Sequence, residues 1–211
     1  MAFIKKTATP IQCTEHDERH TERDFADLVA ELGAENETAR RWAVRDLTPL
    51  PDASPPLVAR LAYEESASVR AAILNALAQI GDHAAIMGLI NCLRSEDAGL
   101  RNEAIEVLKA IPQHVEPVIH TLLNDIDSDV RIFAVNILES LRHKDVEKWL
   151  IEVIEKDPHI NVCATAVDLL SEVGTERALP ALKQLKIRFE DDPYICFTTD
   201  LALKRIEDGS Q

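Results

Sequence analysis

Along Asp129–Leu141, D-V-R-I-F-A-V-N-I-L-E-S-L, apolar residues fall at Val130, Ala134, Leu138 and Leu141. These are positions 0, +4, +8 and +11 of one inward helical face. The template recurs with anchors at Ala39, Val69, Leu100, Val130, Val162 and Ile195, in steps of 30, 31, 30, 32 and 33 residues. A second amphipathic segment precedes each anchor. Short helices cannot bury such stripes alone, so pairs must stack, and a fixed period in this range predicts an all-α solenoid.

The pattern predicts six pairs of an A helix followed by an anchor-bearing B helix, over residues 24–207. Residues 1–23 form a tail or capping segment and residues 208–211 a polar end. In the first pair, Phe25, Leu28, Val29 and Leu32 share the buried face of helix A, and Gly33 is placed to end it. Ser54 is the expected N-cap of the second A helix, with Pro55 and Pro56 in its first turn. The fourth pair is expected as Val115–Leu123 and Ser128–Leu141. An arginine at +1 (Arg40, Arg70, Arg101, Arg131) lies beside the core and needs partners. Acids such as Glu64, Glu96, Asp97 and Asp125 in the turns supply them and suit the positive helix N-termini. At the last two repeats, Cys163 and Cys196 replace that arginine and are expected as small buried apolar residues.

Charge narrows the function. With 23 basic against 37 acidic residues and a net charge of -14, the chain lacks the clustered cations that binding a polyanion requires. No nucleic-acid partner is expected. No apolar run reaches the length of a membrane span or a signal-peptide core, so no membrane insertion is expected. The four cysteines form no framework, which suits a reducing, cytoplasmic setting. Cys13, His16 and His20 share one helical face at i, i+3 and i+7 and are a weak three-ligand candidate for zinc. His83, His114, His120, His143 and His159 are expected at helix starts or on solvated outer faces. No phosphate loop or hydrolase triad is recognisable by motif, and no cofactor is expected.

Period, paired helices, V-R anchor and acidic turn are together similar to the HEAT-repeat superfamily. The short form resembles the bacterial HEAT-like repeats of phycobilin lyase subunits and their relatives, over about residues 24–207. The resemblance implies a right-handed superhelical solenoid of about six HEAT-like pairs. It implies an interaction scaffold without catalysis of its own, or alternatively a factor that attaches or detaches bilins. A metal carrier acting through the N-terminal segment is a further alternative. No catalytic motif of the family is matched, so no active residue carries over. In such solenoids the B helices line the concave side, which makes the +2 and +6 positions the expected protein-binding ridge. That ridge includes Arg41, Arg45, Asn75, Asn102, Glu106, Ile132, Asn136 and Asp168, with Trp42 at +3. Arginine and tryptophan are frequent binding hot spots.

Overall fold

The computed structural model describes residues 23–209. Among them thirteen α-helices follow one another without a strand: α1 Phe25–Glu31, α2 Glu37–Leu47, α3 Ser54–Leu61, α4 Ala67–Ile80, α5 His83–Cys92, α6 Ala98–Ala110, α7 Pro112–Val115, α8 Ile119–Leu123, α9 Ser128–Leu138, α10 Val146–Lys156, α11 Ile160–Val173, α12 Leu179–Arg188 and α13 Pro193–Gly209. The B helices α2, α4, α6, α9, α11 and α13 each touch the next in series, and each packs on the A helix of its own pair.

The anchor template places the core. Val69, Leu100, Val130, Val162 and Ile195 are all buried, and so are the +4 residues Ala43, Ile73, Ala104, Ala134, Ala166 and Thr199. Leu47, Leu77, Leu108, Leu138 and Leu170 at +8 are enclosed too. Small residues at +4 let neighbouring axes approach, which is why alanine dominates there.

The start of each B helix is set three residues before its anchor. Asn36, Ser66, Asp97, Asp127 and Asp192 accept hydrogen bonds from backbone amides of the first turn. They satisfy amide groups that the helix itself leaves open. The fifth repeat departs from this. His159 occupies the position without a side-chain cap, and Asp157 accepts from the His159 amide at 2.8 Å instead.

Two of the +1 arginines, Arg40 and Arg131, bind their own turn and the next repeat at once. Arg40 donates to the carbonyls of Ala34 and Glu35 in its own turn and to both oxygens of buried Glu64 in the next. Arg131 donates to the carbonyls of Asp125 and Ile126 and grips Asp157 through two bonds, at 2.6 and 3.1 Å. Arg70 reaches Asp97 and Glu103, whereas Arg101 holds, among the described residues, the Ser95 and Glu96 carbonyls of its own turn. The clamp persists where the arginine is lost. Arg188 comes in from α12, donates to the carbonyls of Glu155 and Asp157, and lies 3.1 Å from the Cys163 thiol.

Several local expectations are corrected. The fourth A helix is broken, because Pro117 lacks the amide that a continuous helix would use; Glu116–Val118 forms a 3-10 turn between α7 and α8. Pro112 both follows the end of α6 and opens α7. Helix α9 ends at Leu138, although Leu141 remains buried through the following turn. Ser54 is the first residue of α3, with no cap bond, and its buried hydroxyl donates to Asp82 at 2.8 Å. Asp82 caps α5 with its other oxygen, so this bond ties adjacent A helices together. Phe25 at the start of α1 is exposed, and so is Val173 at the end of α11. Gly33 does follow the Leu32 C-cap of α1, but without a positive φ; among the described residues the left-handed glycine is Gly81, at φ 63°, at the end of α4.

Candidate functional site

The +2 and +6 side chains emerge on one face of the stacked B helices. Arg41, Arg45, Asn75, Asn102, Glu106 and Asp168 are exposed, while Ile132 and Asn136 are half-buried beside Phe133. Ala164, the +2 residue of the fifth repeat, is buried instead, where α11 packs against both α9 and α13. Trp42 is half-buried. Arg45 is not a free cation: it donates to Asp46 at 2.7 and 2.9 Å, and Arg23 also bonds Asp46. The basic end of the ridge is therefore partly neutralised by its own repeat.

Two grooves run between neighbouring B helices on this face. One, of about 390 Å³ between α4 and α6, has Ala71, Leu74 and Val107 in its walls and Asn75, Asn102 and Glu106 along it. The other, of about 210 Å³ between α9 and α11, is lined by Asn136, Glu139, Thr165, Asp168 and Glu172 among others. Burial, and then the nearby Glu172 carboxylate, pushes the Asp168 carboxyl above the usual carboxylate range. Acids outnumber cations in the middle of the ridge: Glu103 and Glu106 line the first groove, and Glu139, Asp168 and Glu172 the second. Lys109 bonds Glu139 at 2.7 Å and lies 4.0 Å from Glu106, and Arg70 donates to Glu103 at 3.3 Å.

A third concavity was not expected from the sequence. A crevice of about 360 Å³ opens at the turn edge of the fourth and fifth repeats, with Trp149 in its wall and the Arg131–Asp157 pair against it. His143 stacks on Trp149 at 4.8 Å and 3°, and His120 meets the same ring edge-on at 5.1 Å and 78°. His143 is half-buried against the Trp149 ring, while His120 stays exposed beside it. His143 also lies 3.4 Å from Glu116. The three rings come from α8, α10 and the turn between repeats, so no sequence spacing signals the cluster.

The Cys13, His16 and His20 candidate lies outside the described residues. Among the described residues, no group of three or more His, Cys, Asp or Glu side chains could hold a metal ion. Burial pushes the Cys163 thiol up to about 11, and it donates to the Asp157 carbonyl at 3.4 Å. Cys196 is half-buried rather than enclosed and faces the carbonyls of Phe189 and Glu190. Both thiols stand where the +1 arginine elsewhere meets the turn. Among the described residues no helix is long and apolar enough to cross a membrane.

The profile of the family described as HEAT repeats matches residues 25–109 and 115–193. Protein YibA of Escherichia coli (strain K12) is 29% identical over 147 residues, covering 68% of this chain and 51% of its own length. The bilin biosynthesis protein PecE of Mastigocladus laminosus is 30% identical over 153 residues, covering 70% of this chain and 56% of its own. The chain spans about half the length of these curated relatives. A chain from a structure of microtubule plus end tracking by XMAP215, CLIP-170 and EB1 aligns with TM-score 0.52 at 14% identity, over 85% of this chain and 90% of that one. That likeness concerns the fold.

Proposed function

Since the chain belongs to the HEAT-repeat family, we propose that it is a non-catalytic scaffold whose B-helix face binds a protein partner. The observation that carries this reading is the side-by-side exposure of Asn75, Asn102, Glu106 and Asp168 along two grooves between stacked helices. A partner laid across that face meets four successive repeats at once, and several shallow contacts then add. Arg41, Trp42 and Arg45 form the N-terminal end of the surface; Ile132 and Asn136 give its centre apolar area beside a polar amide. The test is the double substitution Trp42→Ala with Arg45→Ala, and separately Asn136→Ala with Asp168→Ala, measured against the partner recovered from the native cell. Affinity falls at least tenfold in each with the melting curve intact, whereas Lys148→Ala on α10 leaves it unchanged. Loss of binding only on the α10 side refutes the assignment.

The similarity to PecE, whose name records bilin biosynthesis, favours one second reading: an accessory factor for bilin attachment or detachment. Mixing the purified protein with a bilin separates the two. A chromophore factor shifts the visible absorption band, and a scaffold leaves it in place.

A further inference from the structure

We infer that the groove face of α4, α6, α9 and α11 takes an extended, lysine- or arginine-bearing peptide segment, held through its backbone as well as its side chains. This rests on the B-helix face being the binding surface, and adds the chemistry of what binds there. The first observation is a set of three carboxamides, Asn75, Asn102 and Asn136, along the two grooves. None of the three side chains has a hydrogen-bond partner among the described residues, in contrast to Asn36, which caps α2, and Asn124, which donates to the His120 carbonyl. A carboxamide offers a donor and an acceptor together, which matches the N–H and C=O of peptide units. A helix has already spent those groups internally; an extended segment presents them free.

The second observation is the groove floor. Ala71, Leu74 and Val107 present apolar surface beside Asn75 and Asn102, so an occupying chain displaces water there and strengthens the polar contacts at the edge. The third is charge. Glu103, Glu106, Glu139, Asp168 and Glu172 line the grooves, against which Arg70 is bonded to Glu103 and Lys109 to Glu139. Cationic side chains complete this balance. An acidic segment is repelled, and so is a second copy of a chain that carries a net charge of -14. Neighbouring helices lie roughly 8–10 Å apart and an extended chain rises about 3.3 Å per residue. Crossing from α4 to α11 therefore takes about eight residues.

The test uses fluorescence anisotropy with a labelled Lys-Ala repeat peptide about nine residues long, a Glu-Ala repeat of equal length, and a Lys-Ala repeat with alternate backbone amides N-methylated. The Lys-Ala peptide binds and the Glu-Ala peptide does not. The triple substitution Asn75→Ala, Asn102→Ala, Asn136→Ala weakens binding about 30-fold, as expected for the loss of several backbone hydrogen bonds. N-methylation weakens binding to the unaltered protein by a similar factor and costs little further on the triple variant. Glu106→Gln with Asp168→Asn flattens the salt dependence. Two results overturn the inference: no binding of the Lys-Ala peptide, or binding that ignores both the asparagine changes and N-methylation, which is charge attraction alone. A native partner cross-linked at Asn75 and Asn136 while no Lys-Ala peptide binds overturns the peptide chemistry and leaves the surface assignment standing.

Discussion

Glu64 is the acceptor on which two arginines converge. Its side chain is fully buried, and it takes bonds from Arg40 at 2.8 and 2.9 Å, from Arg60 at 2.8 Å and from the Ser66 amide at 2.9 Å. Burial pushes its carboxyl up; the bonds from Arg40, Ser66 and Arg60 together outweigh that and leave it below its ordinary value near 4.5. A depressed carboxyl contributes stability above its unfolded pKa and loses it as the pH falls through the lower folded value. The protein therefore weakens in acid below about pH 4.5, and Glu64→Gln removes part of that dependence. At neutral pH the same change costs about 3 kcal/mol, because two guanidiniums lose their charge partner; urea melts across the pH range measure both effects. Thr199 shows the opposite case. It stands at the +4 position where alanine usually packs, is fully buried, and its hydroxyl has no hydrogen-bond partner among the described residues. Thr199→Val keeps the shape and removes the unpaired group, so it raises stability by about 1 kcal/mol in the same melts. Neither residue's environment was legible beforehand. The acidic turns read correctly as partners for Arg40 and Arg70, whereas Arg131 takes Asp157 and Arg101 meets backbone carbonyls instead; sharing one carboxylate between Arg40 and Arg60 depends on where α3 ends.

Among the elements, the B helices were the legible ones, because one template carries their inward face, their +1 clamp and their caps. The cap position three residues before each anchor is visible in retrospect as Asn36, Ser66, Asp97, Asp127 and Asp192. It reads first as general acidity, since only three of the five are charged at neutral pH. The A helices were less legible. Pro117 lies inside an apolar run whose period continues across it, so the pattern alone cannot show the break between α7 and α8. The fifth repeat is the most instructive, because it lacks both the cap and the arginine and is repaired from elsewhere. Asp157 replaces the cap, and Arg188 from α12 replaces the guanidinium. Arg188→Ala frees the carbonyls of Glu155 and Asp157 and costs about 1–2 kcal/mol. Hydrogen exchange around residues 155–163 speeds up while the first three repeats stay protected. Uniform exchange across the chain contradicts this local account.

For the whole molecule, each repeat is stabilised by its two neighbours, so position along the stack decides what a substitution costs. Leu138 is buried in α9 between α6 and α11, and Leu138→Ala loses about 2–5 kcal/mol. Leu203 occupies the same template position in α13, is only partly buried and has a neighbouring repeat on one side among the described residues, so Leu203→Ala loses less. Equal losses contradict a stack of coupled repeats. The proposed binding surface follows from the same arrangement. Stacking that buries the anchor face turns the +2 and +6 positions outward, side by side, and the grooves between α4 and α6 and between α9 and α11 are its consequence. The ridge residues could be listed from helical period alone, but their electrostatics could not. Pairing of Arg45 with Asp46 mutes the basic end in the first repeat, and Glu106, Glu139, Asp168 and Glu172 make the third through fifth repeats acidic along the grooves. The most direct test places a photo-activatable cross-linking residue in turn at Asn75, Asn136 and Lys148 in the native cell. The account predicts one partner adduct, formed from positions 75 and 136 and absent from 148. An adduct from 148 alone contradicts it.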